Sequence, residues 1–275
     1  MCFGCDYYPE HWPKERWEED ARLMEEAGFN VVRLGEFAWV KMEPKEGSFS
    51  FNWLDEVIEI LGRHEIKSIL GTPTATPPAW LVKKYPEVLR VDENGIRSSF
   101  GGRRAYCPNN SIYQRFSEKI VQEMVEHFKN NKNVIGWQID NEFGGDSNEG
   151  LCYCDVCASK FREWLQKKYK FLDNLNKEWG TIFWSQVYSN WEEIPVPRKL
   201  ETAHNPSLIL DYRRFISDSY INYQELQRGI IKTFAPHQFV THNFMANFSG
   251  IDYYKLSAPL DFFARDTSPI HPFVE

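Results

Sequence analysis

Residues 134–144 read VIGWQIDNEFG. Val134-Ile135-Gly136-Trp137 has the apolar, β-branched and aromatic character of a buried strand. It runs through Gln138-Ile139 into three polar residues, Asp140-Asn141-Glu142, with Gly144 and Gly145 close behind. A buried strand that ends in amide and carboxylate groups either closes in a solvated turn or delivers side chains to a site. The neighbouring strands decide between the two.

Upstream, a first strand covers Phe3 to Tyr7 and closes in Asp6-Tyr7-Tyr8-Pro9. A helix over 14–27 carries Trp17, Ala21, Met24 and Ala27 at spacings of three and four, and Gly28 stands at its C-cap. Asn30 to Leu34 is a second strand, followed by Glu36. A helix over 53–61 carries Leu54, Val57, Ile58 and Leu61 on one face. Ile66 to Leu70 is a third strand, ended by Gly71-Thr72-Pro73. Ser111 opens the helix that leads to residue 134 and has capping-box spacing with Gln114. Downstream, a helix over 207–233 precedes strands at Gln238–Thr241 and Leu260–Ala264.

This alternation of strand and helix predicts a parallel sheet with helices outside it. Polar residues gather where the strands end: Asp6, Arg33 and Glu36, Thr72, Asn141 and Glu142, His242 and Asn243, Asp266. In a (β/α) barrel those ends meet at one mouth, where chemistry sits. An open doubly wound sheet carries a Gly-rich phosphate turn after its first strand. Here Gly101-Gly102 lies between a loop and a tyrosine instead. The expected fold is therefore α/β, of the (β/α)8 TIM-barrel type, but incomplete, with about six of eight strands. Two further strand–helix units need on the order of 60 residues, and only about eleven follow the sixth strand. The expected organisation is one partial barrel over 1–275, with a cysteine-bearing loop and helical insertion at about 143–206.

A net charge of −7 with no basic cluster argues against a nucleic-acid or anionic-membrane surface. No 18-residue apolar run appears, so no transmembrane helix is expected. The N-terminus, MCFGCDYYPEHWP, lacks the basic-then-apolar pattern of a secretory signal. Ten Trp are more than packing alone calls for, and Trp faces stack on sugar rings, so some are expected to line a pocket.

Glu142 suits acid/base work. At the end of a buried strand it should be partly desolvated, which favours a protonated carboxyl. Such a group can give a proton to a glycosidic oxygen, and the Asn141 amide beside it can bond a sugar hydroxyl. CDYYPEHWP at 5–13, NVVRLGEFAW at 30–39, TPTATPPAWL at 72–81, GGRRAYCPNN at 101–110 and GWQIDNEFGG at 136–145 resemble glycoside hydrolase family 42, the two-glutamate β-galactosidases. The resemblance implies a retaining hydrolase of terminal β-D-galactosyl residues. It makes Glu142 the proton donor and Asn141 a substrate contact. It also implies that the arginine before Tyr-Cys-Pro binds substrate; Arg103 is the better match, with Arg104 left open. Arg33, Glu36 and Trp39 belong to the same stretches, and Glu36 and Trp39 are candidates for the mouth. A homotrimer is implied as well.

The family's second carboxylate, the nucleophile, lies on a seventh strand in a Met-Glu context. Glu275 is the only Glu beyond residue 225, too close to Asp266 for another helix and strand between them. Asp266-Thr267-Ser268-Pro269 carries Ser where the family has Tyr, and PIHPFVE matches nothing. The sequence thus reads as a barrel cut short before its nucleophile. Impaired turnover is expected, because the two carboxylates act as a unit. A non-catalytic galactoside-binding remnant and a retaining glycosidase of other sugar specificity are the alternatives. A metal-dependent hydrolase needs clustered His at strand ends, and only His242 is suitably placed.

Six cysteines occur. Cys152, Cys154 and Cys157 form C-x-C-x-x-C, a spacing typical of metal loops. With Cys107 as a fourth ligand they make a closed structural zinc site, and the resembling family often carries this cluster. The competing reading is free or disulfide-bonded thiols. Thiolate ligands suit a reducing compartment, hence the cytoplasm. Cys2 and Cys5 are expected to be buried strand thiols.

Overall fold

The computed structural model describes residues 1–145, 150–246 and 248–265. Five parallel strands form one sheet: β1 (Gly4–Asp6), β2 (Val31–Leu34), β3 (Lys67–Gly71), β4 (Val134–Gln138) and β5 (Phe239–Thr241). Their order in space is β1-β2-β3-β4-β5. A doubly wound sheet reverses direction at a switch point, whereas each new strand here adds on the same side, which is how a (β/α) barrel winds. The chain is a partial α/β barrel.

After His242 the chain continues as β6 (Asn243–Phe244), which pairs in parallel with β7 (Ala264–Arg265). The sixth strand unit therefore begins later than the expected Leu260–Ala264. Asp266, the Ser268 site and the PIHPFVE segment lie outside the described residues.

The helices are α1 (Trp17–Glu26), α2 (Trp39–Met42), α3 (Asn52–Arg63), α4 (Ala79–Lys84), α5 (Ser111–Phe128), α6 (Asp155–Tyr169), α7 (Leu172–Trp179), α8 (Pro206–Phe234) and α9 (Tyr253–Ser257). Helix α1 ends at Gly28, whose φ of 81° only glycine adopts without cost. Gly28 N–H bonds Glu25 O and Phe29 N–H bonds Met24 O, a Schellman closure. Helix α5 is capped differently from the expectation. The Asn110 side chain accepts from the Ile112 and Tyr113 N–H groups, and Gln114 donates to Pro108 O at 2.7 Å. Asn and Ser cap about equally well, so one residue of register decides that Asn110 is the cap.

The core between sheet and helices includes Val32, Leu34, Leu70 and Trp137 from the strands, and Leu54, Ile58, Ile120 and Met124 from α3 and α5. Strand β4 is buried on both faces except at Ile135. Gly136 is required there, because a Cβ would sit 2.4 Å from the Phe239 ring on β5. Cys2 and Cys5 are exposed, contrary to expectation. Strand β1 is the sheet's edge, and all three of its residues are exposed. Among the described residues no helix is long and apolar enough to cross a membrane.

Candidate active site and metal centre

Beyond β4 the backbone turns sharply. Asp140 and Glu142 both adopt positive φ, at 51° and 46°, and Gly144 and Gly145 follow at 111° and 105°. Left-handed backbone at a non-glycine residue costs about 1 kcal/mol or more, so surrounding bonds must hold it. Asp140 is fully buried. Its Oδ2 accepts from Thr74 Oγ1 at 2.5 Å and Tyr106 OH at 3.0 Å, and its Oδ1 accepts from Asn141 N–H at 2.7 Å. Thr72 Oγ1 accepts from Asp140 N–H and donates to Gln227 Oε1, both at 2.7 Å. Burial pushes the Asp140 carboxyl up to about 6, against the opposing pull of those hydrogen bonds.

The turn is pinned from the other side by β5 and β6. Asn243 Oδ1 accepts from Glu142 N–H at 3.1 Å, while Asn243 Nδ2 donates to Asn141 Oδ1 at 3.0 Å. His242 Nε2 accepts from Phe143 N–H at 3.3 Å, and His242 Nδ1 bonds Ile139 O at 2.8 Å. Both ring nitrogens are thus engaged, and burial pulls His242 down to about 4. This neutral histidine is a brace rather than a metal ligand, which removes the metal-hydrolase candidate.

Held this way, the Glu142 carboxylate stands at the carboxyl rim of the sheet, 17% exposed. Oε2 lies 3.0 Å from Arg104 Nη1, 3.2 Å from Arg103 Nη1 and 3.3 Å from Asn141 Nδ2. The expected group of Glu142, Asn141 and Arg103 is therefore brought together, and Arg104 joins it. The two arginines differ in setting. Arg104 is buried, and also donates from Nη1 to Glu142 O at 3.1 Å. The Arg103 side chain is 46% exposed. A carboxylate, an amide and two guanidinium groups on one rim can bind a polyhydroxylated ligand and move a proton.

A second cluster extends this rim at β1 and β2. Arg33 reaches Asp6 (2.6 Å), Gln138 (2.6 Å) and Glu36 (3.0 Å), and Tyr8 OH donates to Glu36 at 3.0 Å. Burial raises the Glu36 carboxyl, with Arg33 opposing. Gly71 permits this packing, since a Cβ there would meet Glu36 Cβ at 2.4 Å. Trp39, in contrast, is wholly buried and bonds Glu43, so it belongs to the core. Of the ten Trp, Trp12 and Trp184 are the exposed ones, and most of the rest serve packing.

The four cysteines converge as expected. Cys107, Cys152, Cys154 and Cys157 are buried, with all four sulfurs within 4.8 Å of one another. Cys107 Sγ is 3.4 Å from Cys157 Sγ and 3.8 Å from Cys154 Sγ. These separations are too long for a disulfide bond. They match the edge of a thiolate tetrahedron around a metal, about 3.8 Å for metal–sulfur bonds near 2.3 Å. The cluster could hold a metal ion. It would join the loop before α5 to the start of α6.

Sequence reasoning placed Glu142, Asn141 and the cysteines but gave no role to Asp140, Thr74, Tyr106 or Asn243. Their signal was faint: Asn243 and Thr72 appear only as polar strand ends, and Asp140 as one of three polar neighbours.

Comparison with known proteins bears on the fold and the family. The glycoside hydrolase family 42 model, described as β-galactosidase, matches residues 6–273. A β-galactosidase of Thermus thermophilus is 47% identical over 267 residues, covering 97% of this chain and 41% of its own. The solved β-galactosidase of the haloarchaeon Halorubrum lacusprofundi superposes with a TM-score of 0.95 at 44% identity, covering 98% of this chain and 40% of that one. Gan42B, a family 42 β-galactosidase, superposes at 0.94 with 36% identity, covering 100% and 41%. The chain spans about 40% of the length of the curated relatives it matches. With a family model over nearly its whole length and the same fold in its solved relatives, this chain belongs to glycoside hydrolase family 42.

Proposed function

We propose that these residues form the proton-donor half of a retaining β-galactosidase site. Glu142 gives its proton to the leaving glycosidic oxygen and later takes one from the attacking water. Asn141 and Arg103 bind galactosyl hydroxyls, and buried Arg104 holds the Glu142 carboxylate in line. The observation that carries this reading is the meeting of Asn141, Arg103 and Arg104 on Glu142 Oε2 within 3.3 Å. The relatives are named β-galactosidases, which supports galactose as the sugar.

Retaining hydrolysis needs a second carboxylate about 5 Å from the first, on the family's seventh strand. Among the described residues the strands end with the sixth unit at Ala264–Arg265, so no further strand is described that could carry it. A polypeptide of this sequence should therefore bind β-galactosides in preference to β-glucosides, yet hydrolyse nitrophenyl-galactoside at least about a thousandfold below an intact enzyme. Ordinary turnover would overturn the division of labour, and equal binding of the two sugars would overturn the galactose assignment.

We read the metal as zinc in a structural role, held by Cys107, Cys152, Cys154 and Cys157. Four sulfur ligands leave no position for water. Reduced thiolates favour the cytoplasm. Segment 143–206, which includes α6 and α7, is read as an insertion carried by this metal loop. The homotrimer implied by the family is retained as the assembly, for which the exposed Ile182, Phe183 and Trp184 provide apolar surface.

A further inference from the structure

A recess of about 620 Å³ opens beside the Glu142 rim, lined by Phe37, Val40, Pro77, Pro78, Phe100 and Arg103 among others. Every lining segment follows the carboxyl end of β2 or β3, so the recess lies on the same face of the sheet as Glu142. Its walls are largely apolar, and Val40 and Phe100 are each 55% exposed. Exposed apolar side chains gathered around one hollow mark a binding surface more often than chance. The hollow is also built: Thr76 Oγ1 donates to Phe37 O at 3.1 Å, tying the β2 and β3 loops, and the Phe37 ring stacks on Tyr8 at 5.8 Å.

Arg103 joins the recess to the site. It lines the hollow, and its guanidinium touches Glu142 at 3.2 Å. A proton donor in glycoside cleavage stands next to the leaving oxygen, so the group attached to that oxygen must extend from Glu142 into whatever space adjoins it. The adjoining space is apolar and of a size suited to a ring. We infer that this recess is the leaving-group subsite, and that it selects β-galactosides whose aglycone is aromatic or alkyl over those with a small or highly polar one.

The inference rests on the galactosidase reading, and four non-hydrolysable ligands separate the two: phenyl and methyl 1-thio-β-galactosides, and phenyl and methyl 1-thio-β-glucosides. Their affinities for the 275-residue chain are measured by ligand-observed NMR titration. The phenyl galactoside should bind about tenfold more tightly than the methyl one, as expected for burying one ring face. Phe100→Ala, on an exposed loop where folding is not at stake, should cut that ratio to about threefold or less. A phenyl-to-methyl ratio near one, with galactosides still preferred to glucosides, overturns the subsite and leaves the sugar assignment standing. A phenyl preference shared equally by both sugars keeps the subsite and overturns galactose. No binding by any of the four overturns both. A ratio near one accompanied by self-association that Phe100→Ala weakens, seen by light scattering, would reassign the hollow to contact between copies.

Discussion

Replacing Asp140 by Asn keeps the side chain's shape and removes its charge. The wild-type carboxyl is fully buried, and burial holds it up to about 6 from its ordinary value of 3.8. A carboxyl raised in this way stabilises the fold fully below 3.8, and that contribution is lost as pH rises through 6. The shift corresponds to about 3 kcal/mol. Asn cannot ionise, so the wild type should fall relative to Asp140→Asn by about that amount between roughly pH 4 and pH 7. His242 works in the opposite sense. Burial pulls it down to about 4 from 6.5, so its contribution is present above 6.5 and lost as pH falls through 4. The wild-type profile alone is therefore flattened by two opposed groups, and only the difference between wild type and variant isolates Asp140. Urea unfolding followed by Trp fluorescence at several pH values supplies that difference. A wild-type-minus-variant difference that stays constant with pH would refute the reasoning. It would mean that Thr74, Tyr106 and Asn141 solvate the carboxylate as well as water does.

Other expectations follow from the same contacts. The chain purified under reducing conditions should carry about one zinc per molecule by atomic emission. Chelation, or Cys154→Ser, should lower the unfolding midpoint by more than about 5 °C, and an unchanged midpoint in metal-free protein would count against the structural role. Arg104→Ala should destabilise by about 2–4 kcal/mol, because it strips a buried partner from Glu142. Arg103→Ala should change stability by no more than about 0.5 kcal/mol and show its effect in galactoside affinity, so comparing melts with titrations tells the two arginines apart. Gly136→Ala should cost about 1–3 kcal/mol through overpacking against Phe239, readable as a shifted urea midpoint with unchanged slope.

What could be read from the sequence was periodic or local. The α1 and α3 faces and the 134–138 strand follow from apolar spacing alone, and Gly28 follows from its place after a helix. The rim also follows, since Arg33, Thr72, Asn141 and Asn243 each lie near or just past the carboxyl end of a sheet strand. Contacts between distant segments could not be read. Nothing in the spacing of Thr74, Tyr106 and Asp140 shows that two hydroxyls 66 and 34 residues away converge on one carboxylate. The helix start at 110–111 was ambiguous for a different reason. Asn and Ser are both good caps, and one residue of register decides between them. Cys2 and Cys5 were misjudged because apolar composition does not reveal that a strand stands at an open edge. The motif favours Arg103 and leaves Arg104 open, and the sequence cannot show that Arg104 is the buried one, since burial is a tertiary property.

Among the described residues, the bonds that fix the Glu142 turn come from the ends of β3 and β5 and from the loop before α5. Thr72 and Thr74 follow β3, Tyr106 comes from the loop before α5, and His242 and Asn243 follow β5. Together they fix both ends of a turn whose two left-handed residues would otherwise relax. None of these bonds needs the sheet to close. The geometry of the Glu142 turn is therefore set by β3, β4, β5 and the loop before α5, whereas retaining hydrolysis needs a second carboxylate about 5 Å from the first. Ligand binding at the rim and catalytic turnover should on this ground be separable. Galactoside affinity in these 275 residues should depend on Asn141 and Asn243, and turnover should depend on what stands opposite them.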